Sequence, residues 1–188
     1  EMVDIIESQV LRGANLISNV RKLSLLDSDS IDLKEISIKE ILQRLITEIT
    51  QDNSNEKIQI KVIEPEGELL INANELLYDV FKNLLLNAIK YNNNQIKKIE
   101  VLISNIERLG KKYYQLEFKD NGRGIRDERK ENIFQRDYFD EEKGKGIGLG
   151  LSLVKRILDT YNATIEVENR IREDYHRGSN FILKIPRL

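Results

Sequence analysis

Gly144-Lys145-Gly146-Ile147-Gly148-Leu149-Gly150-Leu151 runs directly into Ser152-Leu153-Val154-Lys155-Arg156-Ile157-Leu158, a helical pattern. Glycine N–H groups at a helix N-terminus, reinforced by the helix dipole, make a cradle for phosphate. Two common glycine-rich folds fail at this stretch. For G-x-G-x-x-G the third glycine would fall at Leu149, Leu151 or Leu153. A P-loop would need Ser or Thr where Gly146 follows Lys145, and glycine where Phe139 stands. Neither a dinucleotide fold nor a P-loop is therefore supported. A flexible linker is the competing reading, and the immediate helical continuation counts against it.

Upstream, Asp120-Asn121-Gly122-Arg123-Gly124-Ile125 follows a strand pattern. A carboxylate at a strand end, with glycines that let the backbone close on a flat ligand, can accept a hydrogen bond from an exocyclic amine such as that of adenine. Standing alone, the segment reads better as an ordinary Asp-Asn-Gly turn. Further upstream lies Asn83-Leu84-Leu85-Leu86-Asn87-Ala88-Ile89-Lys90-Tyr91. Spacings of four and three put Asn83, Asn87 and Lys90 on one helix face, while Leu84, Leu85 and Ile89 turn inward. Two amides and an ammonium on one stripe suit a phosphate-bound cation, since Mg²⁺ prefers oxygen ligands. A plain solvated face is the alternative.

Around these segments the patterns alternate in type. Ser37 and Glu40 form a capping box opening a helix with Ile38, Ile41, Leu42, Leu45, Ile46 and Ile49 on one face. Strands are expected at 57–63 and 69–71, a helix at 75–91, strands at 98–106 and 112–119, a helix at 151–161, and strands at 164–171 and 180–185. This order predicts an α+β fold, a two-layer α/β sandwich with a mixed sheet and its helices on one face. A long helix precedes it. Val3, Val10, Ile17 and Ser24, interleaved with Ile6, Gly13 and Val20, repeat every seven residues, and Ile5, Leu16 and Leu23 widen the stripe. Such a helix is about 40 Å long and wants a partner helix.

Composition narrows the function classes. With no Cys and one His, disulfide scaffolds and His/Cys metal centres are out. A net charge of -2 gives no field for nucleic acid or an anionic membrane. Apolar runs such as Leu84-Leu85-Leu86 are too short to span a bilayer. His176 sits in the polar stretch Asp174-Tyr175-His176-Arg177-Gly178, read as a surface turn. The first residue is Glu1, which suggests a piece of something longer.

Taken together, the three segments resemble the N, G1 and G2 boxes of the histidine-kinase catalytic and ATP-binding domain, in the superfamily that includes gyrase, the large heat-shock chaperone and MutL-type ATPases. Ile133-Phe134-Gln135-Arg136 resembles the start of its F box and Phe181-Ile182-Leu183-Lys184-Ile185-Pro186 its final strand. Asn15-Leu16-Ile17-Ser18-Asn19-Val20-Arg21-Lys22-Leu23-Ser24 is similar to the second helix of the dimerisation and phosphotransfer hairpin. The implied division is hairpin helix at 1–28, linker at 29–36 and ATP-binding domain at 37–188. Asp137 departs from the pattern where many members have a second F-box aromatic, which Tyr138 or Phe139 could supply. The lid between Phe139 and Gly144 is short, so its phosphate contacts stay unassigned.

The resemblance implies ATP and Mg²⁺ as ligands. It makes Asn87 the Mg²⁺ ligand and Asp120 the reader of the adenine amine. Asn83, Lys90, Tyr91 and Ile125 join the nucleotide site, Gly122 and Gly124 shape the adenine pocket, and Lys145, Gly146, Gly148, Leu149, Gly150 and Leu151 border the lid and phosphates. Hydrolytic members carry a Glu general base where Asn83 stands, and Asn83 cannot take up a proton. A neutral imidazole is already nucleophilic. Transfer to a protein histidine is thus the first expectation and a non-catalytic ATP-sensing dimerisation module the second. The implied partners are a phosphoacceptor His helix outside this chain, the receiver domain of a response regulator, and a second copy through the first helix. A cytoplasmic location is implied, with membrane attachment of the whole protein left open.

Overall fold

The computed structural model describes residues 2–26, 32–135 and 149–188. Helix α1 spans Met2–Leu26. Strand β1 (Lys34–Ser37) leads into α2 (Ile38–Asp52), then β2 (Ile58–Ile63) and β3 (Leu70–Ala73). Helix α3 (Leu76–Lys90), β4 (Lys97–Arg108), β5 (Lys111–Asp120), α4 (Leu149–Thr160), β6 (Thr164–Ile171) and β7 (Asp174–Pro186) complete the chain. The main sheet has the order β2-β4-β5-β7-β6, with β2 and β4 parallel and the other neighbours antiparallel. The expected α+β sandwich with a mixed sheet is what forms.

Alternation along the strands decides which sheet face is covered. Ile99, Val101 and Ile103 of β4, Leu116 and Phe118 of β5, Ile165 and Val167 of β6, and Leu183 and Ile185 of β7 are buried. Leu77, Phe81, Leu84 and Leu85 of α3 and Leu153, Val154, Ile157 and Leu158 of α4 share their core. Phe81 stacks tilted on Phe118, ring centroids 5.6 Å apart. In α2 the buried residues are Ile38, Leu42, Leu45 and Ile49, one face at helical spacing.

Helix α3 is held from both sides. Glu48 of α2 accepts the Tyr78 hydroxyl proton and lies 2.7 Å from the Lys82 ammonium, while the Arg44 guanidinium sits 4.6 Å over the Tyr78 ring. The Lys82 and Tyr78 bonds hold the Glu48 carboxyl below its ordinary range. At the start of α3, Asn74 Oδ1 accepts from Leu76 N–H at 3.0 Å and from the Tyr161 hydroxyl at 2.5 Å, tying α3 to the residue after α4.

Three local expectations change. Residues 34–36, placed in the linker, belong to β1, which pairs antiparallel with β3 from Lys34↔Ala73 to Ser37↔Leu70. Ser37 Oγ accepts from Glu40 N–H at 3.4 Å, one half of the reciprocal pair that the capping box suggests. Strand β7 begins at Asp174 rather than 180, so His176 lies in a strand, exposed, with Tyr175 ring to ring at 3.9 Å. The turn is tighter than the sequence suggests, because Ile171 pairs with Asp174 and Glu173 takes a positive φ of 64°.

On α1, Ile6, Val10, Ile17 and Val20 are exposed as an unpartnered stripe. Leu23 leaves that stripe: it and Leu26 are buried in the core. The side chains of Val3 and Ile5 lie outside the described residues, as do 27–31. No described helix is long and apolar enough to cross a membrane.

Candidate nucleotide site

The polar stripe of α3 survives folding. Leu84, Leu85 and Ile89 are buried while Asn83 and Asn87 are half-buried and Lys90 is exposed. Asn83 Nδ2 donates to Asp79 O at 2.8 Å, and its amide oxygen faces the first turn of α4. The Asn87 amide has no hydrogen-bond partner among the described residues. Tyr91 caps the helix, its N–H bonding Asn87 O and Ile89 O. Two cations approach its ring, Lys90 Nζ at 5.2 Å and the Arg123 guanidinium at 4.7 Å from the centroid.

Asp120 ends β5 and is 6% exposed. Its Oδ1 accepts from Gly122 N–H at 2.7 Å, and its Oδ2 accepts the Ser179 hydroxyl proton. The Lys119↔Asn180 register between β5 and β7 brings Ser179 to that carboxylate. Burial pushes the Asp120 carboxyl above the ordinary aspartate range, against the Ser179 hydroxyl, the Gly122 and Ser179 N–H groups and the charge of Arg170.

The loop after Asp120 is pressed between two neighbours. A Cβ on Gly122 would stand 2.7 Å from Tyr91 O and 2.8 Å from Asp120 Oδ1, and Arg123 N–H donates to Tyr91 O at 3.2 Å. On the other side Gly124, at φ +66°, would meet the Tyr175 carbonyl with any side chain, and Gly178, at φ +105°, would meet that of Asp120. Both glycines are required twice, by conformation and by space. Ile125 packs half-buried against the core.

At the other end of the stripe, a Cβ on Gly150 would come within 2.7 Å of Asn83 Oδ1. Gly150 lies in the first turn of α4, whose Leu151 packs half-buried against the core. The two ends of the stripe are thus marked by different partners: Gly122 at Tyr91, Gly150 at Asn83. Eight residues of helix separate those ends by about 12 Å, a span suited to a nucleoside triphosphate from base to terminal phosphate.

The donor set fits such a ligand. The Asp120 carboxylate accepts from Gly122 N–H and from the Ser179 hydroxyl and N–H, and a carboxylate's lone pairs leave further acceptor capacity for an exocyclic amine. Asn87 offers a hard amide oxygen of the kind Mg²⁺ accepts alongside phosphate. Among the described residues no cluster of three His, Cys, Asp or Glu side chains could hold a metal. A cation here would therefore rest on amide and phosphate oxygens. Lys145, Gly146 and Gly148 lie outside the described residues, as do Arg136, Asp137, Tyr138 and Phe139; Leu149 opens α4, and its side chain is not described. Phe134 is described and meets Phe181 edge-on at 6.3 Å.

Residues 72–188 match the family model of histidine kinase-, DNA gyrase B- and HSP90-like ATPases. The chain belongs to this family. The matched region contains α3, the Asp120 loop and α4, so all three segments lie within the ATPase domain. The chain is 28% identical to the sensor protein ChvG of Rhizobium meliloti over 98% of its own length and 34% of that protein's. It is 31% identical to the sensor-like histidine kinase SenX3 of Mycolicibacterium smegmatis, covering 97% of the chain and 43% of that relative. It therefore spans less than half of these ATPase-family relatives. In fold it resembles the histidine kinase ThkA solved in complex with the response regulator protein TrrA, with a TM-score of 0.76 at 22% identity over 100% of this chain and 51% of that one.

Sequence reasoning missed three contributors to the site. Ser179 is 59 residues from Asp120, and only the strand register joins them. Arg123 reads as one member of a turn until its stacking on Tyr91 is seen. Asn92 reads as part of a polar loop, yet it is 2% exposed.

Proposed function

We propose that this chain is the ATP-binding catalytic part of a protein-histidine kinase, with α1 as the second helix of a dimerisation and phosphotransfer hairpin and the catalytic domain starting at β1. Asp120 accepts the adenine amine, Tyr91 and Lys90 flank the nucleotide, and the Asn87 amide oxygen is a ligand for Mg²⁺. Mg²⁺ held there would neutralise charge on the phosphates. The glycine at 150 leaves room for the phosphates to approach Asn83.

The observation that carries the reading is Asn83 at the phosphate end of the stripe, oriented by its bond to Asp79 O. An amide there can bind and orient but cannot remove a proton from water, so hydrolysis has no base at this position. Transfer to an imidazole needs none: the ring nitrogen bonds to the γ-phosphorus, the bond to the β-phosphate oxygen breaks, and ADP leaves. The second ring nitrogen then gives its proton to solvent. Positioning and electrostatic stabilisation supply the catalysis. His176 is no acceptor for this step, since it lies exposed in β7 rather than on a helix. The acceptor comes from a partner helix, the product passes to a response regulator's receiver domain, and α1 pairs with a second copy in the cytoplasm.

Incubation with labelled ATP, with and without a helical segment bearing an acceptor His, tests this. Acid-labile, base-stable label on the added segment is expected, with no label on the chain alone. Steady hydrolysis of ATP by the chain alone would overturn the reading, and silence in both arms would favour an ATP-sensing module.

A further inference from the structure

Asn92, Asn94 and Asn121 form a polar knot beside the base-reading loop. Asn92 Nδ2 donates to Asn121 Oδ1 at 2.7 Å, and Asn92 Oδ1 accepts from Asn94 N–H at 3.1 Å and Asn94 Nδ2 at 3.0 Å. Asn94 Nδ2 also donates to Asn121 O. Asn121 Oδ1 accepts a second bond from Lys98 N–H at 2.7 Å, its Nδ2 donates to Ile96 O at 3.1 Å, and its own N–H donates to Lys98 O at 3.2 Å. All four polar atoms of Asn121 are thus engaged, by the connector that leaves α3 and by Lys98 at the start of β4.

A buried amide is tolerated only when its bonds are made, and those bonds fix direction in a way that apolar packing does not. Asn121 lies between Asp120 and Gly122, and Asn92 follows Tyr91 directly. The knot therefore ties the backbone that follows the Asp120 carboxylate to the end of the α3 stripe.

We propose that Asn92 and Asn121 are positioning residues that determine base selectivity, holding Asp120 where it accepts from the amine of adenine and repels the carbonyl of guanine. This rests on the assignment of Asp120 as the adenine acceptor. Loosening the knot lets the carboxylate turn away, so adenine nucleotides lose affinity while guanine nucleotides lose little.

Calorimetric titration with ADP and with GDP on wild type, Asn92→Ala, Asn121→Ala and the double variant is the test. The ratio of ADP to GDP affinity is expected to fall about tenfold in each single variant, the scale of one or two lost hydrogen bonds. The double variant is expected to fall no further, because the two amides act as one unit. Should either variant fail to fold, Asn94→Ala, which leaves the buried Asn92 and the half-buried Asn121 in place, is expected to lower the same ratio by a smaller factor. A purely structural role would lower the melting temperature and leave the ratio unmoved. A wild-type preference for ADP that survives unchanged in all variants overturns the proposal alone. A wild type that binds both nucleotides equally, with Asp120→Ala no different, overturns the adenine assignment and the proposal together.

Discussion

Asn83 Oδ1 lies 2.7 Å from the place a Cβ on Gly150 would occupy, which makes these two residues a close approach between α3 and the first turn of α4. Replacing glycine with alanine in a helix ordinarily stabilises by roughly 1 kcal/mol. Gly150→Ala is expected to forfeit that gain and to weaken ADP binding about tenfold, since the Asn83 amide must break its bond to Asp79 O to make room. Adding Asn83→Ala should restore the melting temperature without restoring affinity. Thermal denaturation and titration of the single and double variants check this; a stabilised Gly150→Ala with full affinity would contradict it.

Asp120 gives two pH dependences of opposite sign. Its folded pKa is raised, chiefly by burial. In the ligand-free protein its contribution to stability is greatest below the ordinary aspartate pKa and is lost as pH rises through the raised value. Nucleotide affinity runs the other way, because the ionised carboxylate is the acceptor and is lost as pH falls through that value. Ser179→Ala removes a hydroxyl that favours the ionised form, so the acid limb of binding should move to higher pH. Asp120→Ala should cost about 1–3 kcal/mol of affinity and flatten the limb. ADP titrations from neutral to mildly acidic pH decide it, and an affinity indifferent to pH in wild type would remove Asp120 from the base pocket.

Asn87→Ala is expected to reduce ADP affinity several-fold in the presence of Mg²⁺ and to leave adenosine binding unchanged. The side-chain amide is not spent on any described neighbour, so its loss should be felt through the metal alone. Titrations with and without Mg²⁺ separate the two; an equal loss in both conditions would mean the amide contacts the nucleotide directly.

The stripe at Ile6, Val10, Ile17 and Val20 is expected to drive self-association. A shallow apolar groove beside it is lined by Leu16, Ile17, Val20, Arg21 and Ser24. Light scattering should find a dimer for the chain and a monomer for Val10→Lys with Ile17→Lys. A monomer at high concentration in both would leave the stripe without a role in pairing.

Where a segment buries one face, the sequence shows it. The Leu84, Leu85 and Ile89 side of α3, the Ile38 to Ile49 side of α2 and the alternation of β4 and β5 each place apolar residues at the period of the element they form. Strand β1 escaped notice because Ile36 is its one apolar residue and its partner β3 lies more than thirty residues on. The start of β7 escaped for a related reason: Asp174 to Gly178 is polar, and what holds it in the sheet is its backbone. The site divides along the same line. Asn83, Asn87 and Lys90 share a helix face through local spacing, whereas Ser179 reaches Asp120 through strand register, and the buried Asn92 finds its partner in Asn121, 29 residues on.

The buried Leu23 and Leu26, with the Lys22–Asp79 ion pair at 2.5 Å, give the long first helix a mechanical character. Its last turn is a wall of the core that α4 also closes, so it cannot swing as a loose tether. Prising it away would expose two leucines, roughly 3–6 kcal/mol of burial, besides parting the ion pair. Asp79 stands one turn before Asn83 and holds that side chain through its carbonyl. A sideways pull on the rod is thus borne first at a fulcrum one helical turn from the phosphate end of the pocket.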